Sequence, residues 1–163
     1  DGQNNKISQD GREPVDWILR VGDGSNFWSS DRWSAWGISD IVEKNIKKAY
    51  PGDRIWFTKN TKKGPGFIIA VATFKSVVIR NKGEGLSKMS NSDFGWDEDG
   101  WISNYLLLYK NRINVEFKNI DPKLTGQSEC RNLDPNKNTA PKTKEDLKNL
   151  GIDLNKIYSE LST

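Results

Sequence analysis

Arg54-Ile55-Trp56-Phe57-Thr58-Lys59, Asn60-Thr61-Lys62-Lys63-Gly64-Pro65-Gly66 and Phe67-Ile68-Ile69-Ala70-Val71-Ala72-Thr73-Phe74-Lys75-Ser76-Val77-Val78 form the stretch on which the fold turns. Two segments rich in β-branched and aromatic residues flank a Lys/Gly/Pro turn, which predicts a hairpin of one short and one long strand. Ala70 and Ala72 leave room for close packing over the long strand. Upstream, Val15-Asp16-Trp17-Ile18-Leu19-Arg20-Val21 is mostly apolar, as a strand buried on both faces would be. Downstream, Trp101–Tyr109 and Ile113–Phe117 predict two further strands joined at Lys110-Asn111-Arg112.

Between the first strand and the hairpin, Ser39 is placed to cap a helix predicted to run to about Ala49. Ile41, Val42, Ile46 and Ala49 share one of its faces. Tyr50-Pro51-Gly52-Asp53 ends it. Residues 1–14 read as a polar lead-in, and the barrel-forming domain spans 15–120. Residues 121–163 form an extension in which Thr143 and Asp153 cap two short helices. Leu147, Leu150, Leu154, Ile157, Tyr158 and Leu161 give these helices apolar faces that dock on the barrel, with a partner surface as the alternative.

The composition narrows the chemistry. The chain has 163 residues, seven tryptophans, one cysteine and no histidine. Without histidine there is no Ser-His-Asp or Cys-His nucleophilic site and no His-ligated zinc. Cys130 alone forms no internal disulfide, which suits a reducing, intracellular compartment, cytoplasmic or nuclear. No catalytic residues, metal ligands or cofactor are assigned. No apolar run approaches the roughly 18 residues of a membrane span. An opening Asp1 in place of Met marks either a processing site or an artificially chosen boundary. The high Asn and Lys content points to an AT-rich genome, a viral one included. Charge is uneven: residues 41–82 carry ten Lys and Arg against Glu43 and Asp53 in a chain of net charge +3. Such a segment suits a phosphate-facing surface, or simply a solvated helix face and turn.

Asn26–Ile38 holds Trp28, Trp33 and Trp36 among serines, and residues 81–100 form a long irregular segment with four glycines, Phe94 and Trp96. Aromatic faces beside small polar groups are what a pocket for a flat ligand needs. The bland alternative is that these rings plug a small core.

Taken in order, several pieces resemble the PUA-like superfamily, specifically its EVE and YTH branches. They are the strand Asp16–Val21, the Ser/Trp stretch ending in Trp36-Gly37-Ile38, Pro51-Gly52-Asp53 before the strand Arg54-Ile55-Trp56-Phe57, and Gly66-Phe67-Ile68-Ile69-Ala70-Val71-Ala72. The resemblance covers roughly residues 15–117. It implies an α+β fold: a small, strongly curved mixed β-barrel flanked by short helices, with a helical tail. It also implies a pocket that accepts a flipped-out, methylated or otherwise modified base of RNA or DNA. Carried over by position, Trp36 is the first cage wall, with Gly37 and Ile38 beside it, and Asn26 reads the base edge. Trp96 is the second wall, with Phe94 and Trp101 as competitors; Trp28 or Trp33 are the alternatives to Trp36. Lys47, Lys48, Lys59, Lys62, Lys63 and Arg131 are candidate phosphate contacts, although an Arg131 paired with a carboxylate is the commoner arrangement.

Two other classes remain open on the residues alone. Exposed tryptophan also serves a protein- or carbohydrate-binding module. Asp97-Glu98-Asp99 would suit a Mg²⁺-dependent nuclease only if a loop turned the three carboxylates to one side; otherwise they cap the loop or repel a nucleic-acid backbone at its edge. Salt separates the classes: nucleic-acid affinity is expected to fall steeply between about 50 and 200 mM salt, whereas stacking on a neutral sugar is not. Titration of an oligonucleotide and an oligosaccharide at both salts checks this.

Overall fold

The computed structural model describes residues 13–59, 66–120, 130–132 and 147–161, with 131 and 132 described by their backbone. The elements are β1 (Asp16–Arg20), α1 (Ser25–Ser30), β2 (Ala35–Ile38), α2 (Asp40–Ile46), β3 (Arg54–Lys59), β4 (Gly66–Ile79), β5 (Tyr105–Ile120), β6 (Cys130–Asn132) and α3 (Leu154–Leu161). Short 3₁₀ turns lie at Asp31–Trp33, Gly85–Lys88 and Ser92–Phe94.

All six strands join one mixed sheet in the order β2-β5-β4-β3-β1-β6. The expected hairpin is the antiparallel β3–β4 pair, while β1 runs parallel to β3, from Asp16 opposite Arg54 to Arg20 opposite Thr58. The β4–β5 ladder shifts register at four places, and β3–β4 shifts once at Phe57/Thr58. Each extra residue bends its strand and raises the local twist, so the sheet curls. The result is an α+β half-barrel with short helices around it. Among the described residues, β2 and β6 are its outer edges, so the sheet is curled but not closed by a pairing between them.

Three sequence expectations change. The two strands predicted after residue 100 are one, because Asn111 adopts φ +54° and absorbs an irregularity without ending the pairing. Asparagine tolerates this left-handed conformation better than most residues. Trp101 falls outside that strand, in the loop before it. The Trp-rich stretch is a short helix, a 3₁₀ turn and a strand, since pairing of Ala35–Ile38 with Tyr105–Leu108 overrides its unpromising composition. Finally, Cys130–Asn132, which shows no period, adds to the sheet beside β1. The turn residues 60–65 and the Thr143 cap lie outside the described residues.

The middle of the sheet is buried on both faces, which is why Trp17-Ile18-Leu19 in β1 and Ile55-Trp56-Phe57 in β3 are unbroken apolar runs. Trp17, Leu19, Ile55, Phe57, Ala70, Ala72 and Phe74 face one core together with Phe27 of α1 and Val42 and Ile46 of α2. Ile18, Trp56, Ile68 and Val71 face the other, covered by Leu147, Ile152, Leu154, Ile157 and Leu161. No helix among the described residues is long and apolar enough to cross a membrane.

Two buried aspartates pin β1. The Pro-Gly-Asp step has a physical reason: Gly52 sits at φ +100°, open to glycine at little cost, and the turn brings Asp53 inward. The Asp53 carboxylate accepts from Val15 N at 3.0 Å, Tyr50 N at 3.0 Å and Trp17 Nε1 at 3.3 Å. Asp16, on the opposite face, accepts from Arg54 Nε at 2.7 Å, Trp56 Nε1 at 2.9 Å and Tyr158 Oη at 3.0 Å. The Arg54 guanidinium also lies 3.5 Å from the centre of the Tyr158 ring. One carboxylate therefore joins β1, β3 and α3. Burial, with the Asp16 charge, pushes the Tyr158 phenol above its ordinary value and keeps it a donor. Asp16→Ala is expected to cost about 3–5 kcal/mol, because it strands a buried guanidinium. Tyr158→Phe is expected to cost only about 1 kcal/mol. Urea denaturation of both variants checks the ordering.

Candidate functional site

Phe27 sets the site's geometry. It is fully buried, 4.5 Å from Phe57 and 6.0 Å from Tyr109 between ring centres. Burying a ring of this size stabilises by about 1.5–3 kcal/mol, enough to fix a helix of only six residues. With Phe27 turned inward, Asn26 and Ser29 present the helix to the loop 91–103. That loop docks there through two contacts: Trp96 Nε1 donates to Asn26 O at 2.9 Å, and Gly95 lies against Ser29. A Cβ on Gly95 would come 3.0 Å from Ser29 Cβ, and its φ is +81°, so glycine is required twice over.

The acids of this loop hold it together. Asp93 Oδ2 accepts from Ser90 N at 2.9 Å, Glu98 Oε2 from Ser92 N at 3.0 Å and Asp97 Oδ1 from Asp99 N at 3.1 Å. Within the acidic run, Asp97 and Glu98 thus cap the loop internally. No group of three potential metal ligands occurs among the described residues.

Between α1, β2 and this loop lies an open cavity of about 460 Å³, its mouth included, lined by Asn26, Trp36, Gly37, Asn91, Trp96, Asp97, Gly100, Trp101 and Ser103. Trp36 and Trp96 meet with ring centres 5.9 Å apart at 81°. They form a corner and not the facing pair expected from the sequence. Trp101, 65% exposed, stands at the rim. It also lines an adjoining cavity with Trp36, Gly37, Ile38, Arg20 and Val42.

The other predicted residues sit elsewhere. Phe94 is fully buried behind Trp96, stacked on it at 4.7 Å and 26°, because the 3₁₀ turn Ser92–Phe94 rotates it into the core. Ile38 is buried and reaches only the adjoining cavity. Trp33 packs edge-on against Phe94 at 5.6 Å. Trp28 lies on the surface under Arg112, whose guanidinium also pairs with Asp31 at 2.7 Å. Neither lines the cavity. Lys47 and Lys48 are exposed after α2, and the Lys59 ammonium lies 5.9 Å from the Phe67 ring. None of these three lines either cavity. Lys62 and Lys63 lie outside the described residues, as does the side chain of Arg131.

Sequence reasoning missed the polar floor. Arg80, directly after β4, is 6% exposed and donates from Nη1 to Asn91 Oδ1 at 2.9 Å and Ser103 Oγ at 3.2 Å, and from Nη2 to Met89 O at 2.9 Å. Its guanidinium carbon is 5.6 Å from the centre of the Trp96 ring. Burial pulls its pKa below the ordinary arginine value. Asn91 in turn donates from Nδ2 to Asp97 O and Trp101 O at 3.2 and 3.3 Å. One cation thus ties both ends of the loop that carries Trp96 and Trp101. The available signal was an arginine directly after the apolar run Val77-Val78-Ile79.

No family model matches this sequence, and no curated protein does. Among solved structures, the chain is similar to the YTH domain of the Zygosaccharomyces rouxii MRB1 protein, solved in complex with N6-methyladenosine RNA. The TM-score is 0.46 at 12% identity, over 88% of this chain and 94% of that one.

Gly37 is the narrowest point of the site. A Cβ there would fall 2.5 Å from Ser103 Oγ and 3.2 Å from Trp96 Cη2. Gly37→Ala is therefore expected to push Trp96 and Ser103 off the floor at a cost of about 1–3 kcal/mol. A shifted tryptophan emission maximum, together with a lower urea midpoint, checks it.

Proposed function

We propose that this chain is a non-enzymatic reader that takes one flipped-out, modified base of a nucleic acid into the cavity walled by Trp36, Trp96 and Trp101. The observation that carries the reading is the convergence of three tryptophans from two distant segments on one open cavity with a polar floor. Core packing does not leave a Trp 65% exposed beside a void. The order of motifs shared with EVE and YTH domains of the PUA-like superfamily supports the same reading.

A planar base laid on one face of the corner meets the edge of the other ring, with Trp101 supplying the third wall. Each stacked face contributes about 1–3 kcal/mol. A methyl group turned to the rings adds somewhat under 1 kcal/mol by area. Asn26 and Asp97 at the rim offer a donor and acceptors to the base edge. Base extrusion from a duplex costs a few kcal/mol, so a single strand is the easier partner. Arg20 in the adjoining cavity, together with Lys47, Lys48, Lys59, Lys62, Lys63 and Arg131, supplies candidate contacts to the strand's phosphates. RNA and DNA are both open to this chemistry.

Titration of matched single-stranded RNA and DNA, each with and without one 6-methyladenine, 4-methylcytosine or 5-methylcytosine, tests the reading. At least one modified strand is expected to bind tighter than its unmodified match. Trp36→Ala, Trp96→Ala and Trp101→Ala are each expected to weaken it by roughly tenfold or more. Equal affinity for every strand, unmoved by all three substitutions, would rule the proposal out.

A further inference from the structure

Ser103 has an unusual position for a serine hydroxyl. It is 2% exposed, lines the cavity and stands directly over Gly37. Arg80 Nη1 donates to its oxygen at 3.2 Å. A serine hydroxyl has one proton to give. Among the described residues nothing accepts it, because the only bond of Ser103 Oγ is the one it receives. Arginine stays charged and has no acceptor atom, so it cannot reverse that bond. The Ser103 oxygen is thereby fixed as an acceptor toward Arg80, and its proton is left for the cavity side. A hydrogen bond received from a cation also polarises the hydroxyl and makes it a better donor.

Among the other polar side chains of the lining, Asn26 is exposed and offers its amide at the rim, not on the floor. Asn91 has its amide committed to Arg80, Asp97 O and Trp101 O. Asp97 presents only acceptors. Ser103 is thus the donor seated on the floor, under the tryptophans, where water is least able to replace a missing partner.

We infer that Ser103, held by Arg80, is a specificity-determining residue whose hydroxyl donates to an acceptor atom on the edge of the inserted base. The inference rests on the base-reading proposal and adds to it which side chain reads the buried edge. In an aminopurine every edge acceptor is a ring nitrogen, so the cavity requires one particular ring nitrogen to be present and unprotonated. Arg80 acts as a positioning residue: it does not reach the base, but it fixes which way the hydroxyl faces. A site built around a buried donor discriminates strongly, because a base lacking the matching acceptor leaves that donor unpaired.

The test is a coupling measurement on the full chain. The probes are single-stranded oligonucleotides carrying 6-methyladenine or its 1-deaza, 3-deaza and 7-deaza analogues, each of which replaces one ring nitrogen by C–H. The proteins are the parent, Ser103→Ala and Arg80→Lys. In the parent, one of the three analogues is expected to bind about tenfold more weakly than 6-methyladenine. In Ser103→Ala that particular deletion is expected to cost nothing further, while 6-methyladenine itself binds about tenfold more weakly. Arg80→Lys is expected to fall between them. A serine needed only for folding would weaken all four probes alike, and that result overturns the inference, as does a deaza penalty that survives intact in Ser103→Ala. Should Ser103→Ala fail to fold, Arg80→Lys carries the same comparison. If neither these probes nor the modified-cytosine strands bind the parent, the base-reading proposal falls and this inference with it; if only modified cytosine binds, or the probes bind without coupling, only the inference falls.

Discussion

The ladder between β4 and β5 is the constraint on which the rest of the molecule depends. It joins the two longest strands, and its four register shifts decide how far the sheet curls. A flat sheet of these strands would offer two open faces and could not cover both with the helices among the described residues. Curled, it wraps Phe27, Val42 and Ile46 on one side and receives Ile157 and Leu161 on the other. Because β2 is hydrogen-bonded to β5, the ladder also carries Trp36 and Gly37 to the wall of the cavity.

Two buried charges are managed in different ways, and the difference lies in their partners. Asp16 is paired with Arg54 and bonded to Trp56 and Tyr158, an arrangement that fastens three elements. Arg80 has no carboxylate among its described partners; its charge is spread over an amide oxygen, a hydroxyl and a carbonyl, with two aromatic faces nearby. A paired charge serves stability once its desolvation is offset. A cation held by neutral acceptors keeps more of its field for its surroundings, in this case the floor of the site. The neighbouring carboxylates of Asp93, Glu98 and Asp99 are exposed, so solvent and salt screen them more than they screen Arg80.

Much of the fold was legible in residue order. β-Branched and aromatic runs around a Lys/Gly/Pro turn announced the hairpin, and a mostly apolar β1 announced a strand buried on both faces. Ser39 marked the start of α2, where its hydroxyl accepts from Val42 N at 3.2 Å. What escaped was non-local. Ala35–Ile38 became a strand because β5 offered an edge, Cys130–Asn132 because β1 did, and Asn111 carried an irregularity that reads as a turn. Periodicity is local, whereas a hydrogen-bonding edge is a partner elsewhere in the chain.

The site divides along the same line. Sequence alone determined the ingredients: many tryptophans, no histidine, a Trp-Gly pair after a Ser-rich run, and a long glycine-bearing loop too rich in aromatics to be idle. Tertiary structure decided which rings share a cavity. Trp28 and Trp33 stand within eight residues of Trp36 in sequence, yet both turn away, because a helix and a 3₁₀ turn point successive side chains in different directions. Trp96 and Trp101 arrive from sixty residues downstream because Phe27 anchors the helix on which their loop rests. Arg80 and Ser103 carry no motif. Their bond exists only because two ends of one loop close on the same guanidinium, a relation of distance in space that residue order does not encode.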